Sequence, residues 1–213
     1  NYLYKGPVEE WYVRVKSAME KYYAYFERLI PREASIVDIG CGYGMLAYML
    51  SATSSRRSIL GVDYDEEKIA IANHNFSKTA QIRFDHADAL QYDYPQTDVF
   101  VVSDMLHYID YRSQEILLEK CVEKMNDGGM IIVRDSDADR DREHKVTRFT
   151  ELLSTRFFQF NKTGQPLQFP TTSQFELFAQ KHGLHIERQS NDKLTSNQIF
   201  IFRKKKDTPH AKI

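Results

Sequence analysis

Apolar and polar positions follow two different periods along this chain. Between Val8 and Ile30 there is neither proline nor glycine, and Trp11, Val15, Met19, Tyr22, Phe26 and Leu29 recur at spacings of three and four, which predicts one amphipathic helix. A short β-branched run then ends at Asp38, and a glycine-rich turn leads into a second helix. Residues 59–62 read as another strand, residues 66–76 as a helix that Asp65 can cap, and residues 81–84 as a third strand. A continuous apolar run over 97–104 predicts a strand buried on both faces, followed by an amphipathic helix over 112–125 that ends at Asn126-Asp127-Gly128-Gly129. Residues 130–133 make the fifth strand. After a polar and aromatic stretch, a helix over 173–182 stops at Gly183, and two strands at 184–188 and 198–202 lie close enough to form a hairpin. Strand-helix alternation with a terminal hairpin predicts an α/β fold with a mostly parallel sheet.

The turn after the first strand carries the most specific signal. Gly40, Gly42 and Gly44 occupy alternate positions, so the backbone can bend where a side chain would obstruct a ligand. Nineteen residues after Gly44, the next apolar run closes on Asp63, a carboxylate suited to holding the two hydroxyls of a ribose. The dinucleotide fingerprint needs glycine or alanine at position 45, where this chain has Met45, so a nicotinamide-dependent oxidoreductase is the weaker alternative.

The run Asp38-Ile39-Gly40-Cys41-Gly42-Tyr43-Gly44 with Asp63 resembles the first two motifs of class I S-adenosylmethionine-dependent methyltransferases. Asp88-Ala89 matches that family's third, acidic motif, and Gly128-Gly129 before an apolar strand its late one. By motif the resemblance spans about residues 34–135. It implies a Rossmann-like, doubly wound seven-stranded sheet with an antiparallel last strand and helices on both faces. It also implies S-adenosylmethionine as cofactor, released as S-adenosylhomocysteine. The residues expected to hold it are Asp38, Gly40, Cys41, Gly42 and Gly44 around the methionine part, Asp63 and Tyr64 at the ribose, Asp88 and Ala89 at the adenine, and Asp104 with Met105 beyond the fourth strand. In such a domain residues 1–33 would form a helical lid, 34–135 the cofactor core, 136–182 a variable substrate cover and 183–206 the hairpin, all as one unit.

Ligands of open parallel sheets bind beyond the strands' carboxyl ends, which directs attention to residues 104–108 and 134–137. His107 is the residue type best suited to act as a base at neutral pH, and Asp104 and Asp135 are the acids beside it in those segments. Those two acids lack an evident third, neutral ligand, so no metal is expected. Tyr4, Arg14, Tyr108, Arg134 and His144 are the candidate substrate contacts, with His144 the second choice for a base. Cys41 could be a nucleophile or simply the small side chain that a tight turn tolerates.

Composition narrows the partner. The chain has 213 residues, a formal net charge of -1 and no apolar run of membrane-spanning length, which argues against a nucleic acid or an inserted segment. An Asn/Asp-Pro-Pro-aromatic tetrad after the fourth strand, usual for enzymes that methylate nucleobase amines, is replaced by Asp104-Met105-Leu106-His107. Two cysteines far apart suit a reducing cytoplasm. The expectation is therefore methyl transfer to a small molecule, aromatic or lipid-like. The alternative is a non-catalytic S-adenosylmethionine-binding or scaffold domain of a longer protein, an option raised by the start at Asn1.

Overall fold

A computed structural model describes residues 22–136, 167–190 and 197–204. Seven strands form one sheet in the order β3-β2-β1-β4-β5-β7-β6. They are β1 (Ser35–Ile39), β2 (Ser58–Asp63), β3 (Ile82–His86), β4 (Thr97–Ser103), β5 (Met125–Ser136), β6 (Leu184–Ser190) and β7 (Asn197–Lys204). The first five run parallel, and β7 lies antiparallel to both β5 and β6. The order reverses between β1 and β4, so the carboxyl ends of those two strands open the crevice in which such sheets bind ligands.

The central strands divide their side chains between two cores. Ile36, Val99, Val101, Ile132 and Ile201 face one side, with Tyr22, Phe26, Leu46, Leu50 and Ile69 from helices α1 (Tyr22–Leu29), α2 (Met45–Thr53) and α3 (Glu66–Asn73). Val37, Phe100, Val102, Val133, Phe200 and Phe202 face the other, under α4 (Tyr111–Lys124) and α5 (Thr172–Lys181). Alternate burial to both faces is why these strands read as continuous apolar runs. None of the described helices is long and apolar enough to cross a membrane.

Arg57, fully buried, links two helix ends. Its guanidinium donates to the carbonyls of Glu27 (3.1 Å), Ile30 (2.6 Å), Pro31 (3.1 Å) and Leu50 (3.0 Å) and to Thr53 Oγ1 (2.8 Å), joining the carboxyl ends of α1 and α2.

Three boundaries differ from the sequence expectation. Helix α3 stops at Asn73 rather than Phe76, because Asn75 turns the chain by accepting the Ser77 N–H at 2.9 Å. The segment Asn126–Gly129 is a bulge inside β5, since Met125 already pairs with Thr97 before the ladder resumes at Met130 and Val99. Strand β4 ends at Ser103, and Asp104 leaves it with φ 54°, a left-handed conformation that an aspartate tolerates. The predicted N-terminal helix is seen from Tyr22 onward, and its earlier part lies outside the described residues, as does most of the proposed cover segment.

At the amino end of the sheet, Asp98 accepts from the N–H and hydroxyl of Ser35 (2.8 and 2.7 Å) and from the Asn126 carboxamide (2.8 Å). The Asn126 bond, with those from Ser35, holds its carboxyl below the usual range. A carboxyl with a depressed folded value contributes stability above its unfolded pKa and loses it as pH falls through the folded one. Asp98→Asn should therefore cost about 1–2 kcal/mol at pH 7. The gap to the parent protein should begin to narrow below about pH 4 in thermal melts and go on narrowing as pH falls through the depressed folded value, and a gap as large at pH 3 as at pH 7 would contradict this account.

Candidate functional site

The glycine turn is folded by its neighbours at the carboxyl ends of β1 and β2. Gly40 and Cys41 both donate their N–H to the Val62 carbonyl, at 2.8 and 3.2 Å, and Gly44 donates to the Cys41 carbonyl at 2.9 Å. Gly40 and Gly44 adopt φ of 74° and 73°, which favour glycine, and each also lies against a bulky group. A Cβ on Gly40 would sit 2.7 Å from Met105 Cγ, and one on Gly44 would sit 2.4 Å from the Phe84 ring. At Gly42 the direction of a side chain is open, with Lys68 Cδ the nearest atom at 4.0 Å.

Asp63, 8% exposed, closes this turn from the next strand. Its Oδ2 accepts the Gly42 N–H at 2.8 Å and its Oδ1 the Asp65 N–H at 2.9 Å, while its carbonyl accepts the Ala87 N–H at 3.0 Å. Asp65 in turn caps α3 by accepting from Glu67 and Lys68. Asp38 is buried at the end of β1, Tyr64 is exposed beside Asp63, and Asp88 is exposed with its carboxylate accepting the Leu90 N–H at 2.8 Å. Ala89 is half-buried, and its carbonyl accepts from Tyr94 Oη at 2.8 Å. Burial, reinforced by the charges of Asp38 and Asp63, pushes the Cys41 thiol well up, so it stays protonated and is no nucleophile at neutral pH.

Beyond β4 and β5 the chain builds a second cluster. His107 lies in a 3-10 turn, Leu106–Tyr108, and is 9% exposed. Its Nδ1 is 2.7 Å from Asp135 Oδ1, and its backbone N–H donates to Asp135 Oδ2 at 3.3 Å. Asp135 is 2% exposed. The imidazole stacks on Phe169 with ring centroids 5.1 Å apart and planes at 23°, and Tyr108 lies 4.2 Å away on a tilt. Among the described residues no partner engages His107 Nε2. A carboxylate on Nδ1 selects the tautomer with its proton there and leaves Nε2 able to accept one.

Asp104 and Arg134 form an ion pair through their side chains, and the Asp104 N–H donates to the Arg134 carbonyl at 2.8 Å. The Arg134 guanidinium also lies 3.8 Å over the Tyr22 ring. Asp104 and Asp135 thus serve different partners, and no group of three metal-ligating side chains comes together among the described residues.

With this geometry in place, residues 36–129 match the family model described as "Methyltransferase domain". Over that stretch the chain is similar to a methyltransferase domain. Over 111 residues it is 31% identical to the tetracenomycin polyketide synthesis 8-O-methyl transferase TcmO of Streptomyces glaucescens, covering 51% of this chain and 33% of that protein. It is 26% identical over 104 residues to the carboxy-S-adenosyl-L-methionine synthase of Campylobacter lari, covering 48% of this chain and 44% of that protein. The chain therefore spans less than half the length of either relative. The human N-acetylserotonin methyltransferase, solved in complex with SAM, shares the fold with a TM-score of 0.67 at 20% identity, over 91% of this chain and 55% of that one.

The fold brings most of the sequence candidates to one edge of the sheet. Asp38, Gly40, Cys41, Gly42, Gly44, Asp63, Tyr64, Asp88 and Ala89 border the ends of β1 to β3, and Asp104, Met105, His107, Tyr108, Arg134 and Asp135 those of β4 and β5. Tyr4, Arg14 and His144 lie outside the described residues. Sequence reasoning passed over Phe84, which packs on Gly44 and Gly61, and Phe169, which stacks on His107 from more than sixty residues away. No local spacing announces either contact.

Gly44→Ala tests the packing of the turn. Forcing a Cβ into the Phe84 ring at positive φ should cost about 1–3 kcal/mol in urea denaturation. A variant as stable as its parent would mean that the ring is not seated there.

Proposed function

We propose that this chain transfers the methyl group of S-adenosylmethionine to an oxygen of a small molecule, with His107 as the base. The observation that carries the reading is the buried pair of His107 Nδ1 and Asp135 Oδ1 at 2.7 Å, on the turn whose Met105 packs against Gly40. A hydroxyl acceptor must lose its proton as it attacks, and a histidine oriented by a carboxylate is the standard means of taking it. The name of one relative supports the same reaction type, since TcmO is an 8-O-methyl transferase.

The residues of the turn suit this cofactor. S-adenosylmethionine supplies a methyl group made electrophilic by a sulfonium. Gly42 leaves space for close approach, and Asp38 and Asp63 supply negative charge beside a cation. Each Asp63 oxygen holds one N–H and keeps a lone pair for a ribose hydroxyl. Asp88 keeps one carboxylate oxygen for the adenine amine. In the transfer itself, His107 Nε2 takes the acceptor's proton while the acceptor oxygen bonds to the methyl carbon and the carbon–sulfur bond breaks. Asp135 stabilises the resulting imidazolium. An aromatic or lipid-like acceptor suits the Tyr108 and Phe169 rings beside His107.

Calorimetry should detect S-adenosylmethionine binding to the parent protein and at least a roughly tenfold loss in Asp63→Ala, the scale of one lost charged hydrogen bond. Equal binding by both proteins, or none by the parent, would overturn the site. A screen of methyl transfer from labelled cofactor to cell metabolites would identify an acceptor. With that acceptor, His107→Ala should turn over about 10²–10⁴-fold more slowly at unchanged cofactor affinity. Unaltered turnover would remove His107 as the base.

A further inference from the structure

We propose that Gln114 is a positioning residue for His107, acting through the backbone of the turn that carries it. The inference rests on the reading of His107 as the base. Gln114 is a polar side chain on the buried face of α4, 5% exposed, where leucine would be expected from its neighbours Leu117, Leu118 and Cys121. Its Nε2 donates to the carbonyls of Leu106 at 3.0 Å, Ile109 at 3.0 Å and Gln168 at 2.7 Å. Two of these carbonyls flank the His107 turn, and the third belongs to the segment that carries Phe169. Gln168 completes the joint, donating its N–H to the His107 carbonyl at 3.0 Å and accepting the Tyr111 N–H on Oε1 at 3.0 Å. Tyr111 Oη donates to the Phe169 carbonyl at 3.2 Å.

One neutral carboxamide therefore joins the backbone under the imidazole to the backbone of the ring stacked on its face. Asp135 fixes one edge of the imidazole, Phe169 fixes its face, and Gln114 fixes the spacing between the two chain segments. A catalytic group held loosely loses rate steeply for small displacements, so a joint of this kind matters to the chemistry without touching it. Leucine at this position would remove the two N–H groups that the carbonyls of Leu106, Ile109 and Gln168 share, and glutamate would set a carboxylate among carbonyl oxygens.

The test needs no acceptor. The chain contains seven histidines, so long-range proton–nitrogen spectra of the ¹⁵N-histidine-labelled 213-residue protein are tractable, with His107→Asn assigning its resonances. In the parent protein His107 should show one tautomer, protonated on Nδ1. In Gln114→Leu its two nitrogen shifts should move toward each other as both tautomers become populated, while the other histidines stay in place. Affinity for S-adenosylhomocysteine by calorimetry should change less than about threefold, under 1 kcal/mol. Should Gln114→Leu fail to fold, Gln114→Asn, which keeps a donor but is one methylene too short to reach three carbonyls, decides by the same criterion. A His107 spectrum identical to that of the parent overturns the positioning role. Absence of S-adenosylhomocysteine binding by the parent overturns the functional reading instead, and the spectra still decide the role of Gln114.

Discussion

The carboxylate of Asp63 is the point on which the cofactor side of this domain depends. It lies at the end of β2, accepts one N–H from the glycine turn after β1 and another from its own loop, and its carbonyl receives the chain leaving β3. Hydrogen bonds to a charged group contribute more than neutral ones, roughly 1.5–3 kcal/mol each, and here the two on the carboxylate tie the glycine turn to the loop after β2. Three glycines make the turn possible and one acid holds it in a single shape. The same acid retains the lone pairs that a ribose would need, so the group that orders the turn is also the one that would read the ligand.

A different principle governs the other half of the edge. Beyond β4 and β5 no glycine-rich turn exists, and the backbone is arranged by side chains instead. Asp104 leaves its strand in a left-handed conformation with its N–H on the Arg134 carbonyl and its carboxylate on the Arg134 guanidinium. One residue on, Asp135 turns to the opposite face of the sheet and meets His107. Strand alternation thus sends the Arg134–Asp104 pair toward α1 and Tyr22, and the Asp135–His107 pair toward Phe169. Two neighbouring side-chain pairs serve two walls of one crevice.

Much of this was legible in advance. Seven strands, their parallel run and the terminal hairpin follow from apolar runs and turn residues, because burial on both faces of a sheet imposes local composition. The boundaries that moved, at Asn73, Ser103 and Met125, moved where a hydrogen bond to a distant or unexpected partner ended or extended an element. His107 and Asp135 could each be marked from their places at strand ends. That they meet at 2.7 Å could not, since it depends on the register of β4 against β5.

What the sequence by itself determined is the set of local constraints: glycines where φ must be positive, acids at strand ends, and apolar periods that sort residues between helix and strand. These are short-range properties of the backbone and its nearest side chains. Tertiary structure alone decided the contacts between residues far apart in the chain, such as Phe84 on Gly44, Phe169 on His107 and Gln114 among three carbonyls. Each arises because the sheet and its helices bring distant segments to one edge, and no short-range pattern in the residues encodes which of them will touch there.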